Sequence, residues 1–381
     1  MSKKLLLLGG GHAQVHVLQA LAREPLPGAQ VALITPFSRQ MYSGMVPGLV
    51  AGHYRAEQCA IALQPLADAA RVQLIEGSAV TLDAAARRVT LADGRVADYD
   101  VLSLDSGAVM DRGQLPGARE HGLFVRPIEH FVRLLDGVLD LATRRVLDVV
   151  VVGGGAAGVE IALALQHRLA GRGEERARVA LVTGGPDPLA GYAPGVVQRA
   201  AQALARHKVT VFRDSCTGLE RGAVVLGSGA RLACDVPVLA TGVQAPAWLA
   251  GSGLALDERG FVSTGPTLQS TSHAEVFAAG DVATRADVQH AKSGVYAVRA
   301  GPALALNLRR FIGGGALEVH LPQRRTLNLI SCGERRAIVS YGNLAAQGRW
   351  AWWWKDRIDR GFVDRYSSAA AGAATELNRS A

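Results

Sequence analysis

Runs of consecutive apolar residues recur along the chain, and several are followed by a glycine turn and then a stretch with helical spacing. Residues 149–152 are four valines, which is typical of a parallel strand buried on both faces. A glycine loop and a helix-compatible run at residues 161–169 come next. The chain opens in the same order, with an apolar run at 5–8 and a helical stretch at 15–22. This alternation predicts an α/β protein with parallel sheets.

The other apolar runs predict the remaining elements. Further strands are expected at residues 31–35, 72–77, 80–82, 89–91, 99–104, 179–183, 209–212, 236–242 and 276–281, and further helices at 131–142, 196–206 and 292–311. Asp93 and Gly94 are a hairpin signal between two of the short strands. Residues 327–331 and 336–340 predict a second hairpin, followed by a loop at 342–348.

Two stretches leave their role open at this stage. Residues 42–48 are rich in Gly and Pro and predict a loop, either an ordinary surface turn or one that brings backbone close to a flat ring. Near the C-terminus, every fourth residue of a predicted helix is apolar: Trp350, Trp354, Ile358 and Phe362. We expect this stripe to pack on the core, with Trp352 and Trp353 as candidates for a membrane interface. Four charged residues are expected to face elsewhere: Lys355, Asp356, Asp359 and Arg360.

Both glycine loops have the spacing of a dinucleotide-binding fingerprint. In the central loop, Gly153 permits the tight turn, Gly155 lets backbone approach a pyrophosphate, and Gly158 lets the helix pack on the strand. The free N–H groups at the helix start would then face the phosphates. The first loop has Gly9 and Gly11 at the first two positions and Gln14 at the third. We therefore expect either that the helix packs less closely on the strand there or that the helix starts differently.

The residues at the strand ends depart from the usual dinucleotide-binding pattern. An acid that would bind ribose hydroxyls is missing after the second strand of each unit, where Thr35 and Thr183 stand instead. A threonine hydroxyl can still bond a ribose, and Arg39 lies nearby, but coenzyme preference stays open. Asp281 ends an apolar strand, which indicates either a hydroxyl-rich ligand or a cap on the next helix.

Composition narrows the class of protein. The 381 residues are 49% hydrophobic and 19% charged, which suits two or three globular domains. The net charge of +8 is spread over scattered arginines, and no nucleic-acid motif is present, so a solvated basic surface is favoured over nucleic-acid binding. The four cysteines form no C-x-x-C pair and have no metal-ligand spacing, so no metal site is expected. The opening apolar run is too short for a signal peptide, which predicts a cytoplasmic protein.

Several motifs occur in one order: the two glycine loops, a strand followed by glycine at 98–107 and at 240–242, and the strand end at 277–281. This order resembles the two-dinucleotide-binding-domain flavoproteins of the pyridine nucleotide–disulfide oxidoreductase superfamily. Within it, the chain is similar to type II NADH dehydrogenases. It looks closest to the FAD-dependent oxidoreductases found alone or fused to selenide, water dikinase, on the basis of residues 9–12, 42–45, 322–324 and 354–356.

The resemblance implies two Rossmann-like three-layer domains, for FAD and for NAD(P)H, and a small C-terminal α+β domain that contains the Trp-rich helix. The implied FAD-binding domain comprises residues 1–115 and 246–315, the NAD(P)H-binding domain residues 116–245, and the C-terminal domain residues 316–381. The implied cofactors are FAD and NADH or NADPH. The family's redox cysteine pair is absent, which argues against dithiol chemistry.

The resemblance also implies roles for individual residues. Gly9 and Gly11 would hold the FAD pyrophosphate, Asp281 would bond the ribityl chain, and the helix from Lys292 would point its positive end at the flavin. The implied cofactor contacts are Gly9, Gly11, His12, Ala13, Thr35, Arg39, Ser43, Val80, Ser106, Gly107, Gly153, Gly155, Gly158, Glu160, Thr241, Gly242, Gly280, Asp281 and Lys292. The implied catalytic residues are Lys292 and Pro47.

Three functions follow from these expectations. The first is an enzyme that transfers hydride from NAD(P)H to FAD and electrons on to an acceptor, for which a quinone is preferred. The second is a flavin oxidoreductase acting on a sulfur or selenium species linked to selenium metabolism. The third is a flavin-bearing interaction protein with slow turnover. Peripheral contact with the inner face of the cell membrane through the Trp-rich helix is expected, and a homodimer is one alternative for the oligomeric state.

Overall fold

The computed structural model describes residues 2–170 and 177–377, with side chains of the last helix described as far as residue 367. The helices are α1 (His12–Arg23), α2 (Val46–Val50), α3 (Leu63–Ala69), α4 (Ala118–His121), α5 (Ile128–Arg144), α6 (Ala156–Leu169), α7 (Pro194–Arg206), α8 (Gly294–Gly313) and α9 (Arg349–Leu377). The strands are β1 (Lys3–Leu8), β2 (Ala29–Thr35), β3 (Arg39–Met41), β4 (Ala60–Ala62), β5 (Gln73–Glu76), β6 (Ala79–Asp83), β7 (Arg88–Leu91), β8 (Val96–Asp98), β9 (Val101–Leu104), β10 (Leu123–Phe124), β11 (Leu147–Val152), β12 (Ala177–Val182), β13 (Thr210–Phe212), β14 (Cys216–Glu220), β15 (Ala223–Leu226), β16 (Arg231–Ala233), β17 (Val236–Leu239), β18 (Val262–Thr264), β19 (Val276–Ala278), β20 (Ala283–Arg285), β21 (Leu327–Cys332), β22 (Glu334–Tyr341) and β23 (Leu344–Gly348).

The first sheet is parallel and has the strand order β19–β9–β1–β2–β5. Successive residues of a strand point to opposite faces of the sheet. Accordingly, Leu5 and Leu7 of β1 share one core with α1 and α8, whereas Leu6 and Leu8 share another with residues of β6 and β7. The sheet is therefore covered on both faces, by helices on one and by the antiparallel sheet β6–β7–β8 on the other.

The second sheet repeats this architecture with the order β10–β17–β11–β12–β13, again parallel. Val149 and Val151 pack with α5, α6 and α7, whereas Val150 and Val152 pack with the antiparallel sheet β14–β15–β16. The chain leaves the first sheet after β9, builds the second sheet, and returns through β19. The predicted fold class is confirmed. The boundaries at residues 115, 245 and 315 stay a prediction.

The C-terminal part is an antiparallel sheet, β21–β22–β23, on which α9 packs. The predicted hairpin is confirmed as β21 and β22. The predicted loop at 342–348 is wrong, because Leu344–Gly348 pairs with β22 as a third strand. Three of its five residues are Ala or Gly, so it lacks the run of β-branched and aromatic residues from which a strand is usually recognised.

Other local predictions also change. The predicted loop at 42–48 is wrong, since Ser43–Met45 is a 3-10 turn that leads into α2, with Pro47 in its first turn. The turn at Asp93 and Gly94 does join a hairpin, but its second strand is β8, which lies outside the predicted strands. Both helices of the glycine loops start earlier than predicted, at His12 and Ala156, because each begins directly after a glycine N-cap.

The predicted orientation of the Trp-rich helix is wrong for three of the four stripe residues, and Phe362 alone of the four is buried as predicted. Trp350, Trp353, Trp354 and Ile358 are 54%, 62%, 42% and 43% exposed, whereas Trp352 is buried. The buried face of α9 consists of Ala351, Trp352, Lys355, Asp359, Phe362, Val363 and Tyr366. Lys355 and Asp359 are buried because they pair with each other at 2.7 Å, and a pattern of apolar positions cannot reveal such a pair.

Among the residues that the structure describes, no helix is both long and apolar enough to cross a membrane.

Candidate active site

The first glycine loop joins β1 to α1 at the end of the first sheet. Gly9 has φ +98°, a region that favours glycine, and its N–H bonds to the Ile34 carbonyl at 2.8 Å. A side chain at Gly9 would also overlap the backbone of Asp105 and Ser106. Gly11 is the N-cap of α1 and offers no capping side chain. The N-terminal end of α1, with its partial positive charge, is thereby held at the carboxyl edge of the sheet.

A cavity of about 720 Å³ opens at this edge. The predicted cofactor residues that line it are Gly9, Gly11, His12, Thr35, Arg39, Ser43, Val80, Ser106, Gly107 and Asp281. They come from the ends of β1, β2 and β9 and from segments after β3, β5 and β19. A glycine-lined cavity at the carboxyl ends of parallel strands is where a dinucleotide binds in this kind of sheet.

The second glycine loop forms an equivalent site. Gly153 has φ +132°, and a side chain at this position would overlap the Ala240 carbonyl. Gly155 is the N-cap of α6, and no atom lies within 4 Å of the position of a Cβ there. Gly158 differs, since a Cβ would collide with the Gly153 carbonyl, so this glycine allows α6 to pack on the loop. Glycine is therefore suited to each of the three positions for a different physical reason, as the spacing predicts.

A cavity of about 1040 Å³ opens at this second loop. The predicted residues that line it are Gly153, Gly155, Glu160, Thr241, Gly242, Ser43 and Lys292. The two cavities share three lining residues: Ser43, Arg126 and Gly294. Gly294 is the first residue of α8, whose N-cap Ser293 accepts the N–H of Val295. The positive end of α8 therefore lies where the two cavities meet.

Of the two predicted catalytic residues, Lys292 lines the second cavity and Pro47 lines neither cavity. The Lys292 ammonium group donates to Thr284 Oγ1 at 2.8 Å and to the Ala283 carbonyl, and it lies 3.8 Å from the centre of the Phe261 ring. Burial lowers the pKa of Lys292 to about 8. Pro47 is buried in α2 and lines neither cavity.

Two further predicted contacts, Ala13 and Gly280, do not line the first cavity. Both lie against Asp105, which accepts the Ala13 N–H and approaches the Gly280 backbone.

Two ion pairs supply charge that the strand ends lack. Arg39 makes a bidentate pair with Glu129 at the start of α5, at 2.8 and 2.9 Å, and both residues line the first cavity. Hydrogen bonding to Glu129 raises the pKa of Arg39. Arg126 donates to Asp281 at 3.0 Å and lines both cavities. An acid at the first cavity thus comes from α5 rather than from the end of β2.

A partly buried charged cluster, which we call the α9 cluster, lines the second cavity. It comprises Glu160, Lys355, Asp359 and Tyr42. Lys355 Nζ donates to the Gly44 carbonyl at 2.6 Å as well as to Asp359. Glu160 accepts the N–H of Ser331 at 2.7 Å.

The α9 cluster has perturbed protonation equilibria. Burial raises the pKa of Glu160 to about 7, against the opposing effect of Lys355. Burial also raises the pKa of Asp359, and that of Tyr42, whose ring stacks on Phe362 at 4.4 Å. A carboxyl group that titrates near neutral pH at a cavity is suited to proton transfer.

Burial favours the neutral forms of the histidine and cysteine side chains near the site. Burial lowers the pKa of His12 to about 4, so its ring is neutral at pH 7, and Gln40 Nε2 lies 3.3 Å from its Nδ1. The four cysteines are free thiols, and burial raises the pKa of Cys59, Cys234 and Cys332 to about 12. Cys59 and Cys332 line neither cavity, whereas Cys216 lines the second cavity and has a pKa raised by burial.

Sequence reasoning missed several residues of the site. Asp105 follows a buried strand, as Asp281 does, so the signal that singled out Asp281 could also have found Asp105. Arg126 and Glu129 carry no comparable signal, because they lie in and beside a linker helix. Lys355 and Asp359 are four residues apart on α9, which reads as an exposed helical pair.

Residues 3–301 match the family of pyridine nucleotide-disulphide oxidoreductases, and the chain belongs to this family. Membership confirms the predicted cofactors, FAD with NADH or NADPH. Within the family, the chain resembles NADH dehydrogenase-like proteins, as predicted. One such protein of Mycobacterium tuberculosis is 34% identical over 244 residues, which cover 61% of this chain. The match spans 60% of the length of that relative. The narrower likeness to proteins associated with selenide, water dikinase stays a prediction.

Solved structures share the fold across nearly the whole chain. NDH2 from Plasmodium falciparum, solved in complex with NADH, has a TM-score of 0.82 at 11% identity and covers 96% of this chain and 98% of its own. The sulfide:quinone oxidoreductase from Aquifex aeolicus has a TM-score of 0.79 at 18% identity and covers 97% of this chain and 92% of its own.

The residues of both cavities fit two dinucleotides. Each cavity begins at a helix whose N-cap is a glycine, so its backbone can approach a phosphate without a side chain between them. The space in front of Gly155 is open, and Asp281 presents a carboxylate at the first cavity. The two sites meet at Ser43 and Gly294, where the reactive rings of the two cofactors would have to come together.

Proposed function

We propose that this chain is a flavin-dependent NAD(P)H dehydrogenase that passes electrons to a quinone. The observation that carries the proposal is the meeting of two glycine-loop cavities at three common residues, Ser43, Arg126 and Gly294. FAD, when bound, supplies the redox chemistry, accepting hydride from NAD(P)H and giving electrons to the acceptor. The chain supplies binding, orientation and electrostatics, and the N-terminus of α8 at the junction favours negative charge on a bound ring.

The individual roles follow from position. Gly9 and Gly11 would admit the FAD diphosphate, and Gly153 and Gly155 that of the nicotinamide coenzyme. The Arg39–Glu129 pair would meet the FAD ribose in place of the missing strand-end acid, because both side chains line the first cavity.

The α9 cluster supports the proposal that the larger cavity also receives the electron acceptor. Reduction of a quinone to a quinol takes up two electrons and two protons. A hydride from NAD(P)H accounts for both electrons and one proton, so one further proton must reach the acceptor from or through the side chains of the site. Glu160 is an acid with a pKa of about 7 that lines the cavity, and the buried Lys355–Asp359 pair lines the same cavity. We assign Glu160 as the proton donor to the acceptor.

Glu160→Gln should slow reoxidation of the reduced protein by a quinone about 100-fold, because a positioned acid typically contributes 10²–10⁴-fold. The wild-type rate should fall as the pH rises through about 7, since the carboxyl group then loses the proton that it donates. The variant should have no such step. Double-mixing stopped-flow absorbance, in which NADH first reduces the flavin and a quinone follows, measures both steps separately.

The matched control is Glu318→Gln, because this carboxylate is 57% exposed and lies outside both cavities. It should reoxidise like the wild type. Flavin reduction by NADH should keep its rate in Glu160→Gln. Reoxidation of this variant at the wild-type rate, with the wild-type pH profile, would exclude Glu160 as the donor.

A membrane surface would supply a lipid-soluble quinone, and α9 offers a contact for it. Its exposed residues Trp350, Trp353, Trp354 and Ile358 form an apolar surface, with Arg349 and Arg357 also exposed on the same helix. Aromatic and basic residues together suit the boundary between headgroups and acyl chains of anionic lipid. Ile358 also lines the larger cavity, so this surface borders the proposed acceptor site.

Replacing Trp353 and Trp354 together with alanine should weaken sedimentation with phosphatidylglycerol-containing vesicles by at least about tenfold, as two interfacial aromatic anchors are lost. The control is Tyr341→Ala, an exposed aromatic residue on β22. Unchanged vesicle binding in the double variant would remove the membrane part of the proposal. Trp352 is unsuitable for this test, because it is buried.

A sulfur or selenium substrate has weaker support. Such chemistry would gain from a reactive thiol beside the flavin, but Cys59 and Cys332 are buried outside both cavities. Cys216 lines the larger cavity, but burial raises the pKa of its thiol, which disfavours the thiolate that would react. The quinone is therefore the acceptor that we propose.

A further inference from the structure

Asp105 is a buried carboxyl group at the edge of the FAD cavity. It follows β9 directly and is 3% exposed. Its Oδ2 accepts the N–H groups of Ala13 at 2.8 Å and Gln14 at 3.1 Å, in the first turn of α1. Because the N-cap Gly11 has no side chain, Asp105 caps this helix from a neighbouring strand, 92 residues along the chain from Ala13.

Two glycines leave room for the carboxyl group of Asp105, and a third leaves room for its backbone. A Cβ at Gly11 or Gly280 would overlap the carboxyl group, and a Cβ at Gly9 would overlap the backbone of Asp105 and Ser106. Gly9 and Gly280 have positive φ and need glycine for that reason as well. Gly11 has φ −76°, which any residue adopts, so the space that Asp105 occupies is what excludes a side chain there.

The charges around Asp105 oppose its ionised form. Burial raises its pKa well above the ordinary value, the two helix N–H groups lower it in part, and the nearby Asp281 raises it further. Asp281 is itself paired with Arg126, and the remaining titratable neighbour on α1, His12, is neutral at pH 7. Asp105 lines the same cavity as Gly9 and Gly11. An ionised Asp105 and a bound diphosphate would therefore compete for one helix end.

We propose that Asp105 positions the N-terminus of α1 for the FAD diphosphate and takes up one proton from solvent when FAD binds. Without FAD, and at pH values above the raised pKa of Asp105, the carboxylate stabilises the helix end. With the diphosphate in the cavity, the protonated carboxyl group keeps its place among the glycines without repelling the phosphates. FAD affinity is then linked to pH, and it falls as the pH rises through the range in which free Asp105 is ionised.

The experiment is FAD binding to protein stripped of its flavin, followed by quenching of flavin fluorescence between pH 6 and pH 9 and by calorimetry in two buffers of different ionisation enthalpy. We expect the wild-type dissociation constant to rise by up to about tenfold per pH unit within the linked range, with uptake approaching one proton. Asp105→Asn keeps an oxygen that can cap α1 and has no titrating group. It should bind FAD with no such pH dependence and no proton uptake.

A variant that keeps the wild-type pH dependence and proton uptake would overturn the proposal. If Asp105→Asn does not fold, the calorimetric measurement of proton uptake by the wild-type protein still tests the proposal. FAD binding without proton uptake would contradict the linkage between FAD affinity and pH. Asp105→Ala, which also removes the cap, should lower the melting temperature more than Asp105→Asn. None of these measurements involves NADH or a quinone, so their outcome is independent of the proposed dehydrogenase activity.

Discussion

Gly155→Ala should lower kcat/KM for NADH by about 100-fold while FAD stays bound and the melting temperature is unchanged. The backbone of Gly155 has φ −74°, which alanine adopts, and no atom lies within 4 Å of the new methyl group. The methyl group would therefore project into the cavity without contacting the protein. A displacement of the coenzyme by about 1 Å is enough for a loss of this size.

Two other glycines give this prediction its controls. Gly137→Ala, on the middle of α5, also places a methyl group in open space, and it should leave both the kinetics and the fold unchanged or slightly more stable. Gly158→Ala should instead destabilise the protein, because its methyl group would collide with the Gly153 carbonyl. Steady-state kinetics, flavin content and thermal unfolding distinguish the three. A Gly155→Ala variant with wild-type kcat/KM would show that no coenzyme approaches this loop.

Lys355→Met should lower the free energy of unfolding by about 3–5 kcal/mol, the usual cost of breaking a buried ion pair from one side. The variant leaves Asp359, which is 4% exposed, without its partner at 2.7 Å, and it also removes the donor to the Gly44 carbonyl. Denaturant unfolding followed by circular dichroism measures the change.

The control for the buried pair is an exposed pair with the same spacing. Arg144 and Asp140 are 71% and 63% exposed at the end of α5, and Arg144→Met should change the free energy of unfolding by less than about 0.5 kcal/mol. A combined Lys355→Met and Asp359→Leu variant should regain part of the loss, since it leaves no unpaired charge. Equal, small effects in the two single variants would mean that the buried pair does not stabilise α9.

Much of the fold follows from local signals in the sequence. A buried parallel strand, a glycine that permits a turn, and a helix start lie next to one another in the chain, so residues 149–169 could be interpreted without any distant contact. The same holds for the first loop. Both helices begin earlier than the sequence predicts, because each starts directly after a glycine N-cap. Strand β8 lacks a local signal because it has only three residues, two of which are exposed.

The site depends on contacts between distant parts of the chain, and there the sequence carries less information. Arg39 and Glu129 are 90 residues apart, and nothing local shows that they pair beside one cavity. The stripe of every fourth apolar residue on α9 predicts four buried side chains, but only Phe362 of the four is buried. The other buried residues near it include Trp352 and the charged pair Lys355 and Asp359. A buried charge is stable only with its partner, and a hydrophobic pattern does not identify the partner.

The most direct test of the account is anaerobic addition of NADH, and separately NADPH, to the FAD-loaded protein in a stopped-flow spectrophotometer. The two cavities that meet at Ser43, Arg126 and Gly294 predict rapid loss of the visible flavin absorbance with at least one of the two coenzymes. A flavin that dithionite reduces but neither coenzyme does would contradict the central claim that the two glycine loops bring both cofactors together.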